Sequence, residues 1–118
     1  MSVQRGDVVI IDWPFSGGVG EKARPALVIQ NNRDNARLTN TIIAMITSRT
    51  HRSGEPTQVL IDVTTPDGQR TDLHRTSVVN CANVFTVEQT NVLHTIGKLP
   101  AALMQLVDVA LKSALELA

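Results

Sequence analysis

From residue 6 the chain runs Gly-Asp-Val-Val-Ile-Ile-Asp-Trp and meets Pro14. A β-branched run stopped by a residue with no backbone N–H predicts a first strand. Residues 16–22 then read Ser-Gly-Gly-Val-Gly-Glu-Lys, a glycine loop able to come close to a ligand. Two short apolar runs, Pro25 to Gln30 and Thr41 to Ile46, predict central strands on either side of the polar connection Asn31 to Asn40. Gln58 to Val63 predicts another strand, closed by the turn Pro66-Asp67-Gly68, and Thr76 to Val79 and Asn83 to Thr86 predict two shorter pieces. The connections are too short for helical crossovers. The strands should therefore pair antiparallel, in a strongly curved sheet or small barrel.

Towards the C-terminus the period changes. After Pro100, Leu103, Leu106, Val107, Ala110, Leu111, Ala114 and Leu117 recur at three- and four-residue steps, which predicts an amphipathic helix with Gln105, Asp108, Lys112 and Glu116 on its wetter side. Its apolar stripe should pack on the sheet or on a second subunit. Its polar side is not basic, as a membrane-surface helix would be. Glu88 to His94 is expected to form a shorter helix. No internal repeat or low-complexity tract interrupts the chain.

At 118 residues the chain fits one compact domain, 1–118. A domain this small gains from a partner that covers apolar surface, which makes a homodimer the expectation. The single cysteine, Cys81, cannot form an internal disulfide and points to a reducing, cytoplasmic setting. No export signal and no apolar stretch of about 20 residues suggests a membrane partner. The formal charge is balanced, which excludes a protein that coats nucleic acid by a general positive field. Local clusters are another matter. Arg49, His51 and Arg52 lie together without an acid between Ile46 and Gly54, and Arg70, His74 and Arg75 form a second group; each is either a solvated loop or an anion-binding patch.

Signatures of phosphate-loop, zinc-protease and nucleophile-elbow chemistry are absent, and the three histidines are too scattered for a metal site. No cofactor and no metal are expected. Arg24 stands between the glycine loop and Pro25, with its backbone biased to an extended form. Its guanidinium would either pair with Asp7 or Asp12 or offer a planar fork to phosphate oxygens. Thr47 and Ser48 end a strand ahead of the basic loop, where two hydroxyls either bond nearby backbone or donate to a phosphate. Trp13 and Phe15 flank Pro14 beside the glycine loop, where an aromatic face either fills the core or stacks an unpaired base.

Five motifs occur in one order: Arg5-Gly6-Asp7, Arg24-Pro25-Ala26-Leu27-Val28-Ile29, Ile46-Thr47-Ser48, Ser77-Val78-Val79 and Ile96-Gly97-Lys98-Leu99, with a helix after them. In this the chain resembles the MazF/PemK toxins over nearly its whole length. The resemblance implies an α+β, mainly β fold: a small antiparallel SH3-like barrel of the CcdB/PemK-like kind with a C-terminal helix. It implies a homodimeric, metal-independent endoribonuclease of a type II toxin-antitoxin system, held in check by a cognate antitoxin. Such an enzyme cuts single-stranded RNA at short sequences by attack of a ribose 2′-hydroxyl on the adjacent phosphate, leaving a 2′,3′-cyclic phosphate and a 5′-hydroxyl. Carried over residue by residue, Arg24 and Thr47 match the family's catalytic arginine and threonine.

Around that pair, Ser48, Glu21 and His51 are expected to support catalysis. Trp13, Phe15, Gly17, Gly18, Arg49, Arg52, His74, Arg75 and Asn83 are expected to bind RNA. The chain departs from the family in two places. Where one branch has a basic residue and an aspartate after the Val-Val pair, it has Asn80 and Ala82; where others have glutamine and arginine, it has Asn83 and Phe85. The group that takes the 2′-hydroxyl proton is thereby left open among Glu21, His51 and His74. Two rival readings share the fold: a gyrase-inhibiting toxin, and an inactive RNA- or protein-binding barrel.

Overall fold

A computed structural model of the protein describes residues 2–13 and 22–118, leaving aside the side chains of Trp13 and Lys22. The strands are β1 (Asp7–Trp13), β2 (Lys22–Val28), β3 (Asn40–Thr47), β4 (Gln58–Ile61), β5 (Ser77–Glu88) and β6 (Val92–Lys98). They form one antiparallel sheet in the order β4-β5-β3-β2-β1-β6. The two apolar runs expected to be central do become the middle strands, β2 and β3. The sheet curls into a barrel without pairing its two edge strands. It is the expected SH3-like barrel with a C-terminal helix, α3 (Ala101–Leu115).

Period-two alternation sends side chains of each strand to opposite faces. Val8, Leu27, Ala44, Ile46, Val59, Ile61 and Val79 form one core, on which α3 lays Val107 and Ala110. Val9, Ile11, Ala26, Val28, Ile43 and Met45 form a second core on the other face, joined by Val3 and Val87. The stripe of α3 is broader than the surface the sheet covers: Leu106, Val109 and Leu115 are exposed, as is Leu117 just beyond the helix. Chain ends are tied together. Arg5 donates to Asp108 of α3 at 2.6 Å, and Leu99 N donates to Gly6 O at 2.8 Å, with Gly6 at φ +95 as only glycine tolerates freely.

Several elements differ from expectation, each for a local reason. The polar connection Asn31 to Asn40 contains a short helix, α1 (Asn32–Arg37), started by Asn31, whose side chain accepts from Asp34 N at 2.8 Å. Pro66-Asp67-Gly68 belongs to a single helical turn, α2 (Pro66–Gln69), capped by Thr65. The two pieces 76–79 and 83–86 are one strand, β5, with a bulge inside it. No helix spans 88–94; Gln89–Asn91 make a 3-10 turn and β6 begins at Val92. That turn is held by the Gln89 amide, which donates to Asn35 O, Leu38 O and Asn40 O while accepting from Val3 N.

Candidate functional site

Arg24 lies inside β2, opposite Ile11 of β1. On the other side β2 pairs with β3 at Val28↔Ile43, Leu27↔Ala44 and Ala26↔Met45. The same register, carried two residues further, sets Arg24 across from Thr47. The ladder has stopped by then, one residue short of Pro25, which has no N–H to extend it. A pair that would be directly opposed in a continuous sheet therefore stands where the two strands part.

Two adjoining clefts open at that parting. The first, about 620 Å³, is lined by Arg24, Thr47, Ser48, Arg49, His74 and Arg75 over an apolar floor that includes Ile10, Pro25 and Ile96. The second, about 480 Å³, is lined by Arg24, Thr47, Arg49, His51, Arg52 and Asn83, together with Gln58 and Asn80. Both volumes fall within the range of about 300–1,000 Å³ usual for ligand sites. Arg24, Ile46, Thr47 and Arg49 line both clefts and so form the ridge between them. Arg24, Thr47, Ser48, Arg49, His51, Arg52, His74, Arg75 and Asn83 each line one cleft or the other, whereas Arg70, grouped with His74 and Arg75 in the sequence, lines neither. Glu21, Phe15, Gly17 and Gly18 lie outside the described residues, as does the side chain of Trp13.

Local hydrogen bonds set these groups. Thr47 Oγ1 accepts from Arg49 N at 3.1 Å, which occupies a lone pair and leaves the hydroxyl hydrogen to donate. Arg24 is exposed and takes part in no ion pair among the described residues. The pairing with Asp7 weighed from the sequence is not formed: Asp7 accepts from Gln4 N at 2.8 Å and lies 3.6 Å from the Lys98 ammonium. Arg52 is engaged elsewhere, its fork bound to Glu55 by two 2.9 Å hydrogen bonds. Those bonds hold the Glu55 carboxyl below its ordinary value and raise Arg52. The clefts thus present the guanidinium groups of Arg24, Arg49 and Arg75, with Arg52 at the edge paired to Glu55, in a chain of zero net charge. A polyanion is the ligand such a local field attracts.

A family description of PemK-like, MazF-like toxins of type II toxin-antitoxin systems matches residues 4–115. The chain belongs to this family. Among curated MazF-like relatives, endoribonuclease MazF6 of Mycobacterium tuberculosis is 39% identical over 99% of this chain and 100% of its own length. Endoribonuclease EndoA of Bacillus subtilis is 34% identical over 99% of this chain and 97% of its own. Among solved structures, a mycobacterial endoribonuclease in complex with its cognate antitoxin superposes with a TM-score of 0.80 at 26% identity, over 99% of this chain and 98% of that one. A MazE-MazF structure from Deinococcus radiodurans, 18% identical, shares the fold at a TM-score of 0.78 over the full length of both chains.

Within this MazF-like frame the structure adds residues that the sequence did not single out. Asp72 lines the first cleft beside His74 and is the one carboxylate among the described residues of either cleft. It sits at φ +60, a left-handed conformation that Asp tolerates better than most residues. The turn beneath it is firm: Thr71 is fully buried and donates to Gly68 O at 2.6 Å while its hydroxyl oxygen accepts from Leu73 N at 3.3 Å. Gln58 and Asn80, a ladder pair of β4 and β5, line the second cleft. No sequence signal marked Asp72, whose orientation depends on the turn. For Gln58 and Asn80 the polar residue at a strand start and the one after Val-Val were visible, but not their pairing.

Proposed function

We propose that the chain is a cytoplasmic, homodimeric endoribonuclease toxin that cuts single-stranded RNA at a short sequence without a metal, and that a cognate antitoxin silences it. The observation that carries this reading is the ridge: Arg24 and Thr47, opposed by register, line both clefts among a cluster of cations. An RNA strand laid across the ridge puts its scissile phosphate there and one flanking nucleotide in each cleft. The exposed apolar residues of α3 supply surface for self-association.

In the proposed reaction the ribose 2′-hydroxyl gives up its proton as its oxygen bonds to phosphorus; the P–O5′ bond breaks, and the leaving oxygen takes a proton. Arg24 stabilises the charge that gathers on the non-bridging oxygens, where a preorganised donor is worth a factor of about 10² to 10³. Thr47, with its lone pair already bonded to Arg49 N, donates to one of those oxygens, and Ser48 adds a second hydroxyl at the rim of the first cleft. An unaided threonine is a poor base. Asp72 and His74 in the first cleft, His51 in the second and Glu21 are the groups able to take the 2′-hydroxyl proton. An antitoxin segment rich in Asp and Glu would bind the same guanidinium groups and fill the clefts.

The test is cleavage of mixed RNA by purified protein in EDTA, with the ends mapped for 5′-hydroxyls. Arg24→Ala and Thr47→Ala should each lower the rate by 10² or more while the fold is kept. Intact RNA, or unchanged cutting by both variants, would overturn the reading. Inhibited DNA supercoiling with no RNA product would favour a gyrase-directed toxin, and saturable RNA binding without new ends would favour an inactive binding barrel.

A further inference from the structure

The lining of the second cleft includes two amides whose orientation is set by their neighbours. Gln58 uses both amide hydrogens: Nε2 donates to Thr57 Oγ1 at 2.9 Å and to Asn80 Oδ1 at 3.0 Å. Asn80 Oδ1 accepts a second bond, from Ala82 N at 3.1 Å. Turning Asn80 over would set its NH₂ against two donors, Gln58 Nε2 and Ala82 N, and turning Gln58 over would set its carbonyl oxygen against Asn80 Oδ1, so the network allows one arrangement. What is left over is the Asn80 NH₂ group, with its two hydrogens, and Gln58 Oε1, with its lone pairs. Neither atom bonds to anything else among the described residues.

The two groups are also fixed in space. Gln58 and Asn80 are directly paired across β4 and β5, and Gln58 is 8% exposed, so its carbonyl is held by packing. The bulge that follows is pinned by Cys81 N, which donates to Thr57 O at 2.9 Å. A donor and an acceptor on two hydrogen-bonded ladder neighbours that line one cleft with Arg24 and Thr47 meet what single-stranded RNA offers there: the hydrogen-bonding edge of an unstacked base. Phosphate oxygens, which only accept, would leave the Gln58 carbonyl unmatched.

We propose that Gln58 and Asn80 are specificity-determining residues that read the edge of one nucleobase flanking the cut. This rests on the RNA-cleaving reading above. Asn80 Nδ2 donates to a ring nitrogen or carbonyl of that base, and Gln58 Oε1 accepts from the N–H or NH₂ beside it. Asn80→Asp keeps the shape and both bonds to Asn80 Oδ1 but turns the free donor into an acceptor. Two neighbouring acceptors match two neighbouring donors, and among the four bases guanine alone offers them, at N1–H and its 2-amino group.

The experiment is digestion of a randomised RNA pool by the wild type, Asn80→Asp and Asn80→Ala, with sequencing of the 5′-hydroxyl ends and thermal melts as a check on folding. Asn80→Asp should raise the ratio of guanine to each other base at one position about tenfold relative to the wild type, in line with what a bidentate base contact discriminates. Asn80→Ala should flatten the preference at that same position and leave the others as they were. The proposal is overturned if the wild type cuts and both folded variants keep its sequence preference, or if both lose cleavage altogether, which would place Asn80 in the chemistry instead. A wild type that cuts no RNA would refute the underlying reading.

Discussion

Gly97 in β6 touches neither cleft, yet its replacement by alanine should damage both stability and activity. Its φ is ordinary for any residue, so an added methyl with free space would gain about 0.4–1 kcal/mol by restricting the unfolded chain. The space is not free. A methyl there would stand 2.5 Å from the Thr71 carbonyl carbon and 3.0 Å from Arg70 O, with Thr71 O closer still. All three are backbone atoms of a turn that is tied down through the buried Thr71 hydroxyl. Overpacking of this kind costs about 1–3 kcal/mol, which leaves a net loss of roughly 1–2 kcal/mol and, for a domain of this size, a fall in Tm of roughly 4–10 °C. The turn that must yield is the one that carries Asp72, His74 and Arg75 into the first cleft. RNA cleavage well below the melting range should therefore drop further than the folded fraction does. A Tm at or above that of the wild type would refute the packing argument. A lowered Tm with wild-type cleavage would refute the link from turn to cleft.

Three more outcomes follow from the geometry. Arg24→Ala should leave Tm within about 1–2 °C of the wild type, because an exposed side chain without a described partner is lost at little cost; a large fall would show that Arg24 is structural. Glu55→Gln should release Arg52 and strengthen RNA binding in a Thr47→Ala background, steepening the salt dependence by about 0.7 in log–log slope for one more phosphate contact. An unchanged slope would mean Arg52 does not reach RNA. Burial pushes the Cys81 thiol from 9.0 up to about 11, so between those values the unfolded chain loses a proton that the folded chain keeps. Stability should then be whole below pH 9 and fall as pH rises towards 11, by about 2–3 kcal/mol at most. Urea unfolding of the wild type and Cys81→Ala at pH 8 and pH 10.5 checks it, and parallel losses in both would count against the assignment.

The sequence was legible where one physical signal dominated. β1 and β3 are β-branched runs buried on both faces, β2 ends in the buried apolar stretch Ala26-Leu27-Val28, and α3 announces itself by its period. β6 was not legible, because most of its residues are exposed and Val92, His94 and Ile96 among polar neighbours look as helical as they look extended. β5 was read as two strands because the three residues Cys81, Ala82 and Asn83 break its alternation; they lie between the pairs Met45↔Asn80 and Ala44↔Val84. α1, at 6 residues, is too short to show a period, although Asn31 and Asp34 carried its capping signal. For the site, Arg24 and Thr47 were named from motif order, but their opposition is a matter of register, which a single chain does not display. Gln58 and Asn80 are 22 residues apart, and nothing short of the β4–β5 pairing brings them together.

The β5 bulge has a consequence for how this scaffold diversifies. Since Cys81, Ala82 and Asn83 make no pair with β3, residues may be exchanged, added or removed there without shifting the register of either flank. Ala82 and Asn83 are exposed, so most such changes cost the core little. The bulge borders the cleft that holds Asn80 and Asn83. New RNA preferences could be sampled there one insertion at a time while the β2–β3 ladder, which ends at Ala26↔Met45 just before Arg24 and Thr47, stays as it is, so variation in target and retention of chemistry are written into separate stretches of the same sheet.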